Sequence, residues 1–511
     1  MPLQLPPDIL DYIFLLLRLS ADFTSLDACS RASELFSLLT ERHIYHHLTV
    51  TNTTDCKLLQ SPYAGVDPWD VAETLSNNAH IRGYVQSLKI LIPGDPPRHL
   101  SNFNPKPLGT YGVTKFLPLL NNVKTVVLCH SGYGRIDWRR LDSNFGAAFI
   151  WMVARAPVRE LIIRNIEEFP LQYLDGAVSL KKLELTGLFC FGALGPTAPH
   201  SRVFLQSLTI DPSGTSMENI IVWLNSLAGP DPSGLTHLKA MLSDEEHYKL
   251  LPYILCLCSS TLEILEIDAG RAVNLFYSER NENQPDAPQF LLDRPAILRN
   301  STLPWHIFSS DLPPLELAPN PVPPPAASLS SDESNPNHNN DISMEPLSIT
   351  APGPFSLSCL TALKHLKLML MIEATDAMTV AYGAYGLPFE FVSRILDEMR
   401  APPPSSRSFG WESAISCTET LEHMTLDIIF RIFPELFYGI SWSPLASALV
   451  SFSCAAPFLK GVELRVGVVK GTDDRNLIVR DPSMIVCALE SDVHLSPLVD
   501  AGLLKINVIE N

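Results

Sequence analysis

From about residue 80 onward, apolar and polar positions follow a short recurring unit. It reads apolar, two variable residues, then apolar, variable, apolar. Copies are "VQSLKI" from Val85, "VKTVVL" from Val123, "VRELII" from Val158, "LKKLEL" from Leu180 and "LQSLTI" from Leu205. "LTHLKA" from Leu235, "LEILEI" from Leu262, "LKHLKL" from Leu363, "LEHMTL" from Leu421, "LKGVEL" from Leu459 and "LLKINV" from Leu503 continue the series. Alternation at the end of each unit predicts a short strand with one buried face. The stretches "FGAAFIWMVARA", "MENIIVWLNSL" and "YKLLPYILCLCSS" between units predict helices.

Unit starts from Val158 to Leu262 are separated by 22, 25, 30 and 27 residues. That irregular period is the range of leucine-rich repeats. One strand with one helix cannot bury its apolar face alone, whereas stacked neighbours bury a continuous core. The expected fold class is therefore α/β, a leucine-rich-repeat-like solenoid. The variable third positions give His237, Ile264, His365 and His423. The fifth positions give Lys239, Glu266, Lys367 and Thr425. If these strands are neighbours, the histidines line one row of a polar, substrate-reading face that titrates near neutrality. The simpler reading is solvent-facing polar filler.

The first fifty residues read differently. "LPPDILDYIF" places Pro6 and Pro7 at a helix start, where a missing N–H costs nothing. Asp8 and Asp11 favour the positive end of the helix dipole. Ile9, Ile13, Leu16 and Leu17 recur at helical spacing over residues 6 to 17, with Leu10 and Phe14 beside them. That apolar surface is wider than one core stripe needs. "DFTSLDACSRASELFSLLTERHIYHHL" predicts a second helical region. Residues 1–50 thus form a small all-α module, followed by solenoid at 51–279. Leu363 follows Leu262 by 101 positions, and the gap includes a Pro-, Ser- and Asn-rich tract expected to be a disordered insertion at 280–356. Solenoid resumes at 357–511, with a shorter loop "RAPPPSSRSFGWE" near residue 400.

Composition narrows the function classes. The formal net charge is -18, from 55 acids against 37 Lys and Arg, so phosphate backbones are repelled and no nucleic-acid partner is expected. No basic leader precedes the first apolar stretch, and no run approaches the roughly 18 uncharged residues of a membrane span. No membrane partner is expected. The ten cysteines are scattered without a C-x-x-C pair and read as reduced, mostly core thiols of an intracellular protein. Cys256 and Cys258 lie in an apolar helix and read as structural. His43, His46 and His47 have ligand-like spacing, but without accompanying Cys or acids they read as a solvated helix face. No P-loop, G-x-S-x-G, H-E-x-x-H or G-x-G-x-x-G occurs. No cofactor, metal or catalytic residue is assigned.

The opening module resembles an F-box, which docks onto the Skp-type linker of a cullin-RING ubiquitin ligase. Leu5, Pro6, Asp8, Ile9 and the pair Ile13-Phe14 stand where that family has Leu-Pro, an acid, Ile or Leu, and an aliphatic-Phe pair. "ACSRAS", Tyr45 and "LTV" at 48 to 50 match its second half. Asp8 replaces the usual glutamate, and Ser33 and Tyr45 stand where tryptophans are common. "LSNNAHIRGYVQSLKI" resembles the junction into the first repeat of fungal members. The resemblance implies a non-catalytic substrate receptor of an SCF-type ligase, cytoplasmic and/or nuclear. Leu5, Pro6, Asp8, Ile9, Ile13 and Phe14 would bind the linker, and the repeats would bind an unknown protein substrate. The alternative is a repeat scaffold with no ligase role, whose first helix is only a cap.

Overall fold

The computed structural model describes residues 5–51, 68–92, 111–130, 135–188, 203–212, 216–225, 229–242, 245–269, 357, 360–374, 387–400, 417–432, 442–468 and 482–509. These residues belong to one compact unit, Met1–Tyr277 with Ala351–Asn511. The protein is mixed α/β, built on a twelve-stranded sheet. Its strands are β1 (His47–Thr51), β2 (Ser87–Ile92), β3 (Thr125–His130), β5 (Glu160–Arg164), β7 (Lys182–Leu188) and β8 (Ser207–Pro212). They continue as β9 (His237–Met241), β10 (Ile264–Asp268), β11 (His365–Ala374), β12 (His423–Ile432), β13 (Val462–Val468) and β14 (Leu504–Val508). Each is parallel to its neighbours, and spatial order equals chain order. The short β4 (Ile136–Asp137) and β6 (Ile166–Glu167) pair separately.

Register explains the sequence pattern. The fourth position of each unit forms one column across the sheet, running from Leu48 and Leu88 through Leu238, Leu265 and Leu366 to Leu504. The sixth forms a second column, from Val50 through Ile267 to Ile506. Both columns are buried. Helices cover that face: Phe145, Phe149 and Met152 of the helix Ser143–Arg155 share its core. Parallel strands of this kind need a crossover between each pair, and helices such as Ser143–Arg155 between β3 and β5 and Glu245–Leu257 between β9 and β10 supply it among the described residues.

Two predicted boundaries move. Val462 pairs with Leu504, so the last unit begins at Ala501, two residues before the expected Leu503. His47 pairs with Ser87, which adds a unit "YHHLTV" from Tyr45. The end of the expected helical module is therefore the first strand. Thr49, Val50 and Thr51 are β-branched and favour the pleated sheet over a helix. Strands β10 and β11 pair from Ile264 with His365 to Asp268 with Met369. The expected insertion 280–356 lies outside the described residues, as does 401–412 of the expected shorter loop.

Three helices precede the sheet: α1 (Pro7–Leu19), α2 (Phe23–Ser30) and α3 (Glu34–Ile44). Pro7 opens α1, Asp8 sits in its first turn and Arg18 in its last, as the dipole favours. Asp22 caps α2 by accepting from the Ser25 amide at 3.0 Å, and Ser33 caps α3 by accepting from Phe36 at 3.2 Å. The helices enclose their own small core of Leu10, Phe14, Leu26 and Ile44. Tyr45 packs against both this core and that of the sheet.

The cysteines are less buried than expected. Among the described residues Cys258 is buried, Cys29, Cys129 and Cys256 are half-buried, and Cys454 and Cys487 are exposed. Cys258 donates to the Ile254 carbonyl at 3.2 Å, and burial pushes its thiol up to about 12. No described helix is long and apolar enough to cross a membrane.

Candidate functional site

The N-terminal helices present the first candidate surface. Leu5, Ile9, Tyr12, Ile13, Leu16 and Leu19 are exposed, with Ile13 at 38% and Leu19 at 69%. Their spacing places them on one side of α1, while Leu10 and Phe14 turn inward. Pro6 and Asp8 are also exposed. Leu35 and Leu38 of α3 add exposed apolar surface. Of the six expected docking residues, Phe14 does not belong there. It is 2% exposed and packs edge-on to Phe36 at 5.6 Å. Its place on the helix, one turn after Leu10, aims it into the bundle.

Behind that surface an ionic clamp holds α1 to α3. Asp11 accepts from His43 Nε2 at 2.7 Å and pairs with Arg42. Burial alone would raise the Asp11 carboxyl, but His43 and Arg42 outweigh it and hold it below its usual range. His43 is buried, not on the solvated face expected of it. The reason is that α3 needs the His43 side to close on α1. Burial pushes His43 down, and pushes half-buried His46 down to about 4, with Arg18 and the neighbouring histidines adding repulsion.

This gives a signed pH dependence. A histidine lowered in the fold stabilises it fully above its ordinary value of 6.5, and that stability is lost as pH falls towards 4. We expect about 2 kcal/mol to disappear over this window after discounting for partial exposure. Urea midpoints between pH 7.5 and 4.5 measure it. His46→Asn should flatten the slope, and an unchanged slope would remove His46 as its source.

The second candidate surface is the face of the sheet that the helices leave open. Third, fifth and seventh positions of the units lie there by strand alternation. His237, Ile264, His365 and His423 stand in register on β9, β10, β11 and β12. Lys239, Glu266, Lys367 and Thr425 form the next column. His365 and His423 are exposed and stack at 5.0 Å with 10° between rings. Burial and His423 together push His365 down.

Most charges in this part are already satisfied. Glu266 meets His237 at 3.2 Å and Lys367 at 3.6 Å. His237 chiefly, with Lys367 helping, holds Glu266 down to about 2 against burial. Lys367 also reaches Asp427 at 3.3 Å, and Arg465 grips both Asp427 oxygens at 2.6 and 2.7 Å. Asp427 is buried. Along the rim where the strands begin, Lys364 pairs with Glu263 at 2.7 Å and Lys460 with Glu422. A ligand here must break protein–protein ion pairs.

The same face over β2 to β7 is different, and the sequence reading passed over it. Leu91, Val127, Cys129 and Ile162 occupy its fifth and seventh positions as half-buried apolar neighbours. Around them are Lys89, Lys124, Arg159, Arg164, Lys181 and Lys182, all exposed. The signal was legible in the second position of successive units, which reads Lys, Arg, Lys in "VKTVVL", "VRELII" and "LKKLEL". The described residues hold no cluster of three or more His, Cys, Asp or Glu suited to a metal. The chain matches no protein-family model and no curated protein.

Proposed function

We propose that the protein is a non-catalytic substrate receptor of an SCF-type ubiquitin ligase. In this reading α1 to α3 are an F-box that docks a Skp-type linker. The sheet is one wall of a leucine-rich-repeat-like solenoid whose open face holds a protein substrate. The carrying observation is the continuous exposed apolar side of α1 on a helix whose opposite side is already packed. Contiguous exposed apolar surface of this kind marks an interaction site. The mechanism is proximity: bridging raises the effective concentration of substrate lysines near the ubiquitin-loaded enzyme. A cytoplasmic or nuclear location follows from that role.

The test is capture of a purified Skp-type linker by the full chain. Ile9→Asp with Leu16→Asp, both at exposed positions, should weaken capture about thirtyfold or more, as loss of a central apolar anchor does. Helical content should stay unchanged. Absence of linker binding, or binding indifferent to these changes, would reject the receptor reading. The scaffold alternative then stands, and it draws on Tyr45, which joins the helices to the first strand as a cap would.

A further inference from the structure

The open face divides into two electrostatically different parts. Over β9 to β13 most cations and anions pair with one another, Lys239 excepted. Over β2, β3, β5 and β7 the face carries Lys89, Arg164 and Lys182 with two anions, Glu160 and Glu184, and the rim where the strands begin adds Lys124, Arg159 and Lys181. Only Arg164 has an ion-pair partner among the described residues, Glu184 at 2.7 Å. Lys89, Lys124, Arg159, Lys181 and Lys182 have none, although Lys124 donates to Gln86 at 2.9 Å. This excess of positive charge sits on a chain whose net charge is -18.

The floor matters as much as the charges. Leu91 and Cys129 are register partners, and so are Val127 and Ile162. Burial raises the Cys129 thiol, which stays neutral and behaves as an apolar side chain. Affinity at protein interfaces comes mainly from apolar anchors in desolvated pockets, while rim charges steer and select. A floor of four apolar side chains, with Lys89 beside Val127 and with Lys124, Arg159 and Lys181 along the rim where the strands begin, is complementary to an anionic chain with an aliphatic side chain; Glu184, the register partner of Ile162, is already held by Arg164.

Resting on the receptor reading of this face, we infer that β2 to β7 form its substrate-recognition site. The ligand class is an acidic peptide segment carrying an aliphatic residue. The acidic side chains meet Lys89, Arg159 and Lys182, and the aliphatic one lies on Val127 and Ile162. The histidine stripe over β9 to β12 is then not the primary contact, because its neighbours are already paired.

The experiment uses the full chain and a short fluorescein-labelled peptide of Glu and Asp with two Leu. Three probes accompany it: a version with Gln and Asn for the acids, one with Ser for Leu, and a single-stranded oligonucleotide. Anisotropy should show saturable binding of the first peptide, weakened about tenfold by either peptide change and further by salt. Lys89→Glu with Arg159→Glu and Lys182→Glu, all exposed positions, should abolish it while circular dichroism stays unchanged. His365→Gln with His423→Gln should leave it intact. No binding, equal binding of the Gln/Asn peptide, tighter binding of the oligonucleotide, or indifference to the charge reversal would each overturn the inference. Linker capture reads the receptor role separately. Peptide binding without linker capture removes the ligase role and keeps this site; the converse removes this site alone.

Discussion

Phe14→Ala is expected to unfold the three N-terminal helices while leaving the twelve-stranded sheet standing. Phe14 is 2% exposed in a core whose other buried members are Leu10, Leu26 and Ile44. Removing a buried phenylalanine costs about 3–5 kcal/mol in lost transfer energy and cavity. A helical segment this small rarely holds more than about 3–5 kcal/mol in its core. The loss is therefore comparable to all the stability available there. The sheet has its own core and shares chiefly Tyr45 with the helices, so the damage should stay local. Hydrogen exchange is the check: amides of residues 7–44 should lose protection while those of β3 to β8 keep theirs. Leu16→Ala, at an exposed position of the same helix, should change protection little. Retained protection in Phe14→Ala would mean that this small core does not hold the helices. Because the substitution removes the fold beneath the proposed docking surface, Phe14 cannot serve as a probe of docking.

The second large effect is expected at Asp427. Its side chain is 3% exposed, gripped by Arg465 in two hydrogen bonds and approached by Lys367. Asp427→Ala leaves Arg465 without its bidentate partner and Lys367 with Glu266 alone. Breaking a buried pair by removing one partner costs about 3–5 kcal/mol. Arg465 and Lys367 are each partly exposed and can turn to water, so we expect about 3 kcal/mol, at the low end of that range. Thermal unfolding should shift down by several degrees. Asp427→Leu with Arg465→Met, which removes both charges and keeps the volume, should recover most of the loss. A loss below about 0.5 kcal/mol in the alanine variant would place this pair with ordinary surface ion pairs. Lys364 with Glu263, both 44% exposed in their side chains, is such an ordinary pair and should contribute little.

Strand positions were legible because the alternation that fixes their buried face is local. A fourth and a sixth position that point the same way give an alternation visible in one unit, from Leu88 and Ile90 to Leu464. The first strand was not legible, since "HLTVT" follows a helix directly and its histidines obscure the pattern. Its pairing with β2 is what makes it a strand. The first helix was legible as a helix, but its periodicity could not say which flank turns inward. Phe14 and Ile13 are adjacent and equally apolar; only the packing of α1 on α3 separates them. The histidine row depended on β10 lying beside β11, and no local property of residues 262 to 363 announces that adjacency.

By itself, the sequence determined the recurring unit, the alternation of its strands, the helical opening and the absence of known catalytic templates. These rest on spacing within a few residues, where backbone geometry dictates which side chains share a face. Only the tertiary structure decided which units are neighbours, that Lys367 and Arg465 converge on Asp427, and that Lys89, Lys124, Arg159, Lys181 and Lys182 stand without an ion-pair partner near Val127 and Ile162. Charge pairing and burial depend on distances across strands, and those distances exist only once the sheet has assembled.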